Sequence, residues 1–246
     1  PVPIRVEEGS GCHAFAGRFI RGVRNGPSPE WLRKRLLAVG LRPISALVDV
    51  TNFFSIDQAR PLHVYDAAKL QGGITARRGR PGERFLALND KEYEVASDDC
   101  AIADDVKVLG LGGVIGGDET GVSESTTDVL LECAWFDPET IGATGRRHMI
   151  HTDARARFER GVDPQVLEPM VEAATAMIVE LCGGEASEIT LAKAPDWNDI
   201  IAPRFVPLRP ERVESLAGVH VPADEQASIL ERLGFRLETA GWVPPG

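Results

Sequence analysis

Three segments of this chain carry polar side chains inside apolar sequence. Val48-Asp49-Val50-Thr51-Asn52 leads on to Pro61-Leu62-His63-Val64-Tyr65-Asp66. Leu130-Leu131-Glu132-Cys133-Ala134 forms the second, and Thr152 to Pro164, reading TDARARFERGVDP, the third. Glu132 is the sharpest case. An unpaired carboxylate in a buried strand costs several kcal/mol or takes up a proton, so a partner or a ligand is expected to meet it. An arginine would serve; so would a ligand that donates a hydrogen bond. His63 offers a ring nitrogen to a neighbouring carbonyl, to Asp66 or to a ligand. Thr51 and Asn52 offer a hydroxyl and an amide, suited to hold a carbonyl or a water, or to close a strand end through side chain–backbone bonds.

Between the first two segments lies Gly112-Gly113-Val114-Ile115-Gly116-Gly117. No Gly-Lys-Ser/Thr follows it and the GxGxxG spacing is absent, so it is neither a phosphate loop nor a dinucleotide fingerprint. It reads as a tight turn needing positive φ, or as backbone at Gly112 and Gly113 that a ligand approaches closely. No nucleophile stands out, since there is no GxSxG and no Cys beside a His in a catalytic pattern. His148 and His151 lack a third ligand of suitable spacing, and no metal is expected there. Arg146, Arg147, Arg155, Arg157 and Arg160 concentrate positive charge. They either pair with surface acids or guide an anionic partner.

The elements that must position these residues follow from pattern. Pro29 to Val39 reads as a helix with Ser28 as cap, an apolar face of Trp31, Leu32, Leu36 and Leu37, and Gly40 as its stop. Ile44 to Val50 reads as a buried strand. Arg84 to Leu88 and Glu92 to Ala96 flank Asn89-Asp90-Lys91 as a hairpin. Ala101 to Ala103 and Val129 to Cys133 read as strands, and Pro138 to Arg147 as a helix capped by Asp137. Pro164 to Cys182 is the clearest helix, capped by Asp163 and ended by Gly183-Gly184. Its stripe is Leu167, Met170, Val171, Ala174, Ile178 and Leu181. Pro169 lies about one turn in, where a missing N–H costs less. Strands mixed with helices, without strict alternation, favour an α+β domain with a large, partly sandwiched sheet. Ala194 to Pro207 turns irregular and reads as a linker, and Pro210 to Ala217 and Asp224 to Leu233 as two short helices.

The 246 residues suit one large domain, alone or with a smaller one. A formal net charge of −10 argues against wrapping nucleic acid over the whole surface, so any contact with RNA must be a local basic patch. Cys12, Cys100, Cys133 and Cys182 form no CxxC pair, which fits reduced thiols in a cytoplasm. No apolar run approaches the ~20 residues of a membrane helix. The chain opens on Pro1 and closes on Trp242-Val243-Pro244-Pro245-Gly246 after an unfinished pattern, which reads as a piece of a longer protein.

VDVTN, PLHVYD, GGVIGG, LLECAWFDP and TDARARFERGVDP, in this order, resemble the signature of the beta subunit of bacterial phenylalanyl-tRNA synthetase. The resemblance covers roughly Cys12 to Gly184, the editing module of that family. RPERVESLAG and ILERLGF more weakly resemble the start of its next domain, a small helical, DNA-binding-like module. The resemblance implies an editing domain over 1–193, a linker over 194–207 and a truncated helical domain over 208–246. It implies that Glu132 contacts the side chain of a misattached tyrosine, that Gly112, Gly113 and Ala154 shape its pocket, and that Thr51, Asn52 and His63 position ester and water. Arg146, Arg147, Arg155 and Arg157 would meet the tRNA(Phe) 3′ end. The parent would be a cytoplasmic assembly of two alpha and two beta subunits using ATP and Mg2+, with no cofactor in this stretch. The family usually has Ala at Gly112, and Ser and His at Arg155 and Ala156. Those departures keep open a non-catalytic structural and tRNA-docking module with degenerate editing. An unrelated hydrolase would need a metal or nucleophile that the sequence lacks.

Overall fold

The computed structural model describes residues 2–239 and 241–245. Pro1, Ala240 and Gly246, which the expected domain spans include, lie outside the described residues. The chain divides after Trp197 into two compact units. The first holds strands β1 (Ile4–Val6) and β2 (Cys12–Arg21), helices α1 (Glu30–Ala38) and α2 (Ala46–Asp57), then β3 (His63–Asp66), β4 (Ile74–Arg78), β5 (Arg84–Leu86), β6 (Glu92–Glu94), β7 (Cys100–Ala103), β8 (Val108–Leu111), β9 (Ile115–Gly116) and β10 (Asp128–Phe136). Helices α3 (Pro138–Arg147), α4 (Asp153–Phe158) and α5 (Leu167–Cys182) follow, then β11 (Glu185–Lys193). The short helix α6 (Trp197–Ile200) runs across the division. The second unit holds α7 (Pro210–Ala217), α8 (Ala223–Arg232) and the ribbon β12 (Arg236–Glu238) with β13 (Gly241–Val243).

Where a large, partly sandwiched sheet was expected, the strands form several sheets in a mixed α/β unit. One has the order β1-β4-β7-β8-β9, the other β11-β2-β10-β3. Among the described residues only β1 and β4 pair in parallel. Strand β10 is central to the second sheet and antiparallel to both neighbours. Period two sends its residues to two faces. Leu130, Ala134 and Phe136 join Phe15 and Tyr65 in one core cluster with Ile74, Ala76, Ile102 and Leu111 of the first sheet. Val129, Leu131 and Cys133 are equally buried but stand outside that cluster, and α5 packs on β10 and β2.

The segment expected as strand Ile44 to Val50 is a correction: Ala46–Asp57 is helix α2. Leu47, Val50, Thr51 and Phe54 are buried, a spacing of three and four that emerges only when the window extends past Asn52. Ser28 does not cap α1. Pro29 holds the cap position without a side-chain bond, and the Ser28 hydroxyl donates to Asp49 Oδ2 at 2.6 Å. Asp49, fully buried, also accepts from the Ile44 N–H at 2.8 Å and so ties the entry of α2 to the segment before α1. Leu32 and Leu36 are the buried face of α1, whereas Trp31 and Leu37 stay exposed.

Other elements match the reading of the sequence. Asp137 caps α3, accepting from the Thr140 N–H at 2.7 Å. The β5–β6 hairpin forms with Phe85 opposite Tyr93, and Asp90 adopts φ 60° in its turn. Asp163 caps a single 3-10 turn, Pro164–Val166, and the α-helix proper begins at Leu167. Pro169 therefore falls in the first turn, whose N–H groups have no intrahelical acceptor. Met170 and Leu181 of the expected stripe are half-buried, and Thr175 and Cys182 are buried instead. Asp49→Ala strands the Ser28 hydroxyl and the Ile44 N–H, and is expected to cost roughly 2–3 kcal/mol in urea unfolding, against about 1 kcal/mol for Ser28→Ala.

Candidate functional site

Register brings the site together. Glu132 of β10 pairs with His63 of β3, and Tyr65, two residues on, shares the face of His63 by the strand period. The Tyr65 O–H donates to Glu132 Oε2 at 2.5 Å. The His63 and Tyr65 rings meet edge-on, centroids 4.3 Å apart. These side chains line a pocket of about 80 Å³ together with Leu62, the glycine turn, Phe136, Ala154 and Phe158. One water needs about 10–15 Å³ by such a measure, so the space takes several waters or a ligand group.

The glycine turn closes the pocket for steric reasons. Gly113 adopts φ +67°, and the Val114 N–H returns to Leu111 O at 3.0 Å. A Cβ at Gly112 would stand 2.7 Å from Phe136 Cε1, and one at Gly113 2.9 Å from Phe136 Cδ2. The glycines expected to admit a ligand thus also admit the Phe136 ring. At Gly116 a Cβ would stand 2.6 Å from His63 Cε1. Thr152 caps α4 by accepting from the Arg155 N–H at 3.1 Å, and its hydroxyl donates to Val114 O at 2.7 Å. That bond fixes α4 to the turn and sets Ala154 in the pocket wall.

Burial sets the electrostatics of the site. Burial raises the Glu132 carboxyl to about 7, against the opposing Tyr65 hydrogen bond. Burial lowers His63 to about 4, and its buried Nε2 has no hydrogen-bond partner among the described residues. Burial pushes the Tyr65 phenol well above its ordinary value, with the Glu132 charge adding to it. At neutral pH His63 is an uncharged imidazole with an unused ring nitrogen.

Not every expected residue reaches this pocket. Glu132, His63, Gly112, Gly113 and Ala154 line it. Thr51 and Asn52 lie on α2 and are not among its lining residues; the Thr51 hydroxyl donates to Val48 O at 2.8 Å, one helical turn back. The arginines divide further. Arg155 is buried against Gly145, with Nε donating to Glu159 at 3.1 Å. Arg147 pairs with Asp98 and the fully buried Asp99, and His148 meets the same Asp99 at 2.6 Å. Arg157 bonds Asp153. Arg146 is exposed, has no carboxylate within ion-pair distance among the described residues, and borders an open depression with Arg155 and Arg160. Tyr65 is the participant that the sequence reading passed over. Its signal was the spacing of two from His63 within PLHVYD.

The sequence profile of the B3/4 domain family matches residues 11–183. Among curated proteins the chain is similar to the phenylalanine–tRNA ligase beta subunit of Cereibacter sphaeroides, 51% identical over 249 residues, which covers 100% of this chain and 30% of that protein. It is similar also to the phenylalanine–tRNA ligase beta subunit of Paramagnetospirillum magneticum, 53% identical over 229 residues, covering 93% of this chain and 28% of that one. The chain thus spans about 30% of the length of the curated relatives it matches. Among solved structures, an N-terminal fragment of the phenylalanyl-tRNA synthetase beta-subunit from Pyrococcus horikoshii aligns over 98% of this chain and 67% of that chain, with a TM-score of 0.46 and 13% identity.

The two titrating groups make opposite contributions to stability. Between about 4.5 and 7 the folded state keeps a proton on Glu132 that the unfolded chain has lost, so this contribution falls as pH rises. Between about 4 and 6.5 the unfolded chain holds a proton on His63 that the folded state has shed, so that contribution grows as pH rises. Relative to the parent chain, Glu132→Gln should gain on the order of 2–3 kcal/mol from pH 4.5 to 7. His63→Asn should lose a similar amount, relative to the parent, from pH 4 to 6.5. Denaturant titrations across this range check both slopes; equal slopes for the two variants contradict the assignment.

Proposed function

The chain belongs to the B3/4 domain family, within phenylalanine–tRNA ligase beta subunits, and from that premise we propose that its pocket is a hydrolytic editing site that clears tyrosine from tRNA(Phe). The observation that carries the reading is the Tyr65–Glu132 contact: a desolvated carboxylate in this pocket already accepts a hydrogen bond from a phenol at 2.5 Å. A tyrosyl ester offers the same donor. Phenylalanine offers none, and its ring would cover the remaining carboxylate oxygen without supplying a donor. Sites built around a hydroxyl reject the analogue lacking it by large factors, whereas an apolar pocket separates near-isosteres poorly.

The chemistry is addition of water to the ester carbonyl, followed by cleavage of its bond to the ribose oxygen. That oxygen takes a proton, and tyrosine and uncharged tRNA(Phe) leave. The ester is already activated, so orientation and electrostatics supply much of the acceleration. His63 suits an orienting part better than that of a base. Burial keeps its imidazole neutral and weakly basic, and the unpaired Nε2 can hold water or the ester carbonyl. Thr51 and Asn52 remain candidates for the terminal ribose or the water only if their side chains turn toward the bound tRNA end. Arg146 is the cation best suited to meet tRNA phosphate; Arg147, Arg155, Arg157 and Arg160 are already engaged with protein acceptors.

In the same reading the parent enzyme is a cytoplasmic assembly of two alpha and two beta subunits. It attaches phenylalanine with ATP and Mg2+ at a site on the alpha subunit, outside this chain. A second reading, a tRNA-docking module with a silent pocket, is favoured by one observation: Tyr65 already occupies Glu132 Oε2.

Hydrolysis of Tyr-tRNA(Phe) and Phe-tRNA(Phe) decides between them. We expect clearance of the tyrosyl ester alone, a loss of 100-fold or so in Glu132→Ala, of the order seen when a catalytic site loses a specific hydrogen-bonding group, and no clearance in Ala154→Trp, whose indole fills the cavity. Running the assay with the chain in excess, and again in the full-length assembly, separates a silent pocket from weak capture of tRNA. Clearance of both esters at equal rates, or normal activity in Ala154→Trp, sinks the proposal.

A further inference from the structure

The pocket's carboxylate has a resident donor of the same chemical kind as the proposed ligand. An ionised carboxylate accepts at about four positions on two oxygens. Tyr65 uses one of them, on Oε2, and among the described residues it is the only hydrogen-bond partner of the Glu132 carboxylate. We propose that Tyr65 is a specificity-determining residue, whose phenol holds Glu132 in one orientation and leaves Oε1 as the acceptor for the hydroxyl of an incoming tyrosyl group. The inference rests on the editing reading of the pocket.

Four observations support a positioned phenol rather than an incidental contact. Tyr65 is 3% exposed and belongs to the core cluster. Its ring packs edge-on against His63, and His63 lies against Gly116, where any Cβ would collide with it. The next residue pins the strand: the Asp66 N–H donates to Thr120 O at 2.9 Å, and Asp66 Oδ2 accepts from the Thr126 hydroxyl at 2.7 Å. A chain of contacts therefore runs from the glycine turn through His63 and Tyr65 to Glu132. Finally, the titratable groups facing Glu132 are Tyr65 and His63 from β3, Cys12 from β2 and Cys100 from β7. None is a cation at neutral pH. The phenol is thus the one group that favours the charged carboxylate against its burial. A charge-assisted bond is roughly twice as strong as a neutral one, so the charge on Glu132 bears directly on how well Oε1 selects a hydroxyl.

Tyr65→Phe tests this, because it keeps the ring and removes only the donor. In a carbon-13 NMR titration of the Glu132 carboxyl, the variant should titrate about one unit higher than the parent. In the full-length assembly its preference for Tyr-tRNA(Phe) over Phe-tRNA(Phe) should fall about tenfold at pH 7 and recover toward pH 9 as Glu132 ionises. An unchanged titration or an unchanged preference overturns the proposal. So does a sharper preference, which would mean that Tyr65 merely competes with the ligand. If the parent protein clears neither ester, the editing reading fails and takes this inference with it; a normal parent with an unaffected variant overturns this inference alone.

Discussion

The site depends on one constraint: an ionisable carboxylate placed on the central strand of a sheet whose both faces are buried. Glu132 has apolar neighbours on its own strand and the first sheet opposite. Burial alone would drive it neutral, and its titration near 7 marks a balance between desolvation and one phenolic donor. Much around it serves that balance. The bulge-free register from Val129 to Glu132 against Asp66 to His63 delivers Tyr65 and His63 to the same face. The turn from Gly112 to Gly116 gives up side chains so that Phe136 and His63 fit beneath it. The Thr152 hydroxyl then fastens α4 to that turn.

An arginine was one partner that the sequence allowed for Glu132, and a buried arginine is present beside the next residue of the strand. Arg60 is 1% exposed and donates from Nε to Cys133 Sγ at 3.2 Å. Cys133 follows Glu132, and strand alternation turns successive side chains to opposite faces. The cation lies on the Cys133 side of the strand, away from the carboxylate. A one-residue slip of β10 would join them and erase the pocket's character. Register, more than composition, keeps Glu132 available.

Much of this was legible in the sequence. Helices with a capping Asp and a proline start, α3 and the α5 region, carry their boundaries in local chemistry. The β5–β6 hairpin shows in its turn residues. Glu132, His63 and the glycine turn stood out because polar or small residues interrupt apolar runs; Ala154 came only from the family resemblance. Helix α2 was misread because Ile44 to Val50 is short and apolar, a pattern common to buried strands and buried helices. Its period of three and four shows only when the window reaches Phe54, and the bonds of Asp49 to Ser28 and Ile44 that fix its entry show in no window at all. Tyr65 was hidden differently: a tyrosine in a strand is ordinary, and only the pairing of β3 with β10 gives its hydroxyl a purpose. The arginines show the same limit. Their clustering reads as one basic patch, yet Asp98, Asp99, Glu159 and Asp153 pair with four of the five.

The Tyr65–Glu132 pair also explains how such a site persists without a ligand. An unpaired buried carboxylate would be a standing cost of several kcal/mol, large beside the 5–15 kcal/mol that hold a domain together. A permanent cation would remove that cost, but it would also hold the carboxylate and weaken its need for another donor. A single neutral phenol is the intermediate solution. It offsets part of the desolvation and leaves the second oxygen underused. In the editing reading proposed above, selectivity for a hydroxyl would come from that oxygen once a bound ring covers it, since a phenol supplies a donor and a bare ring does not.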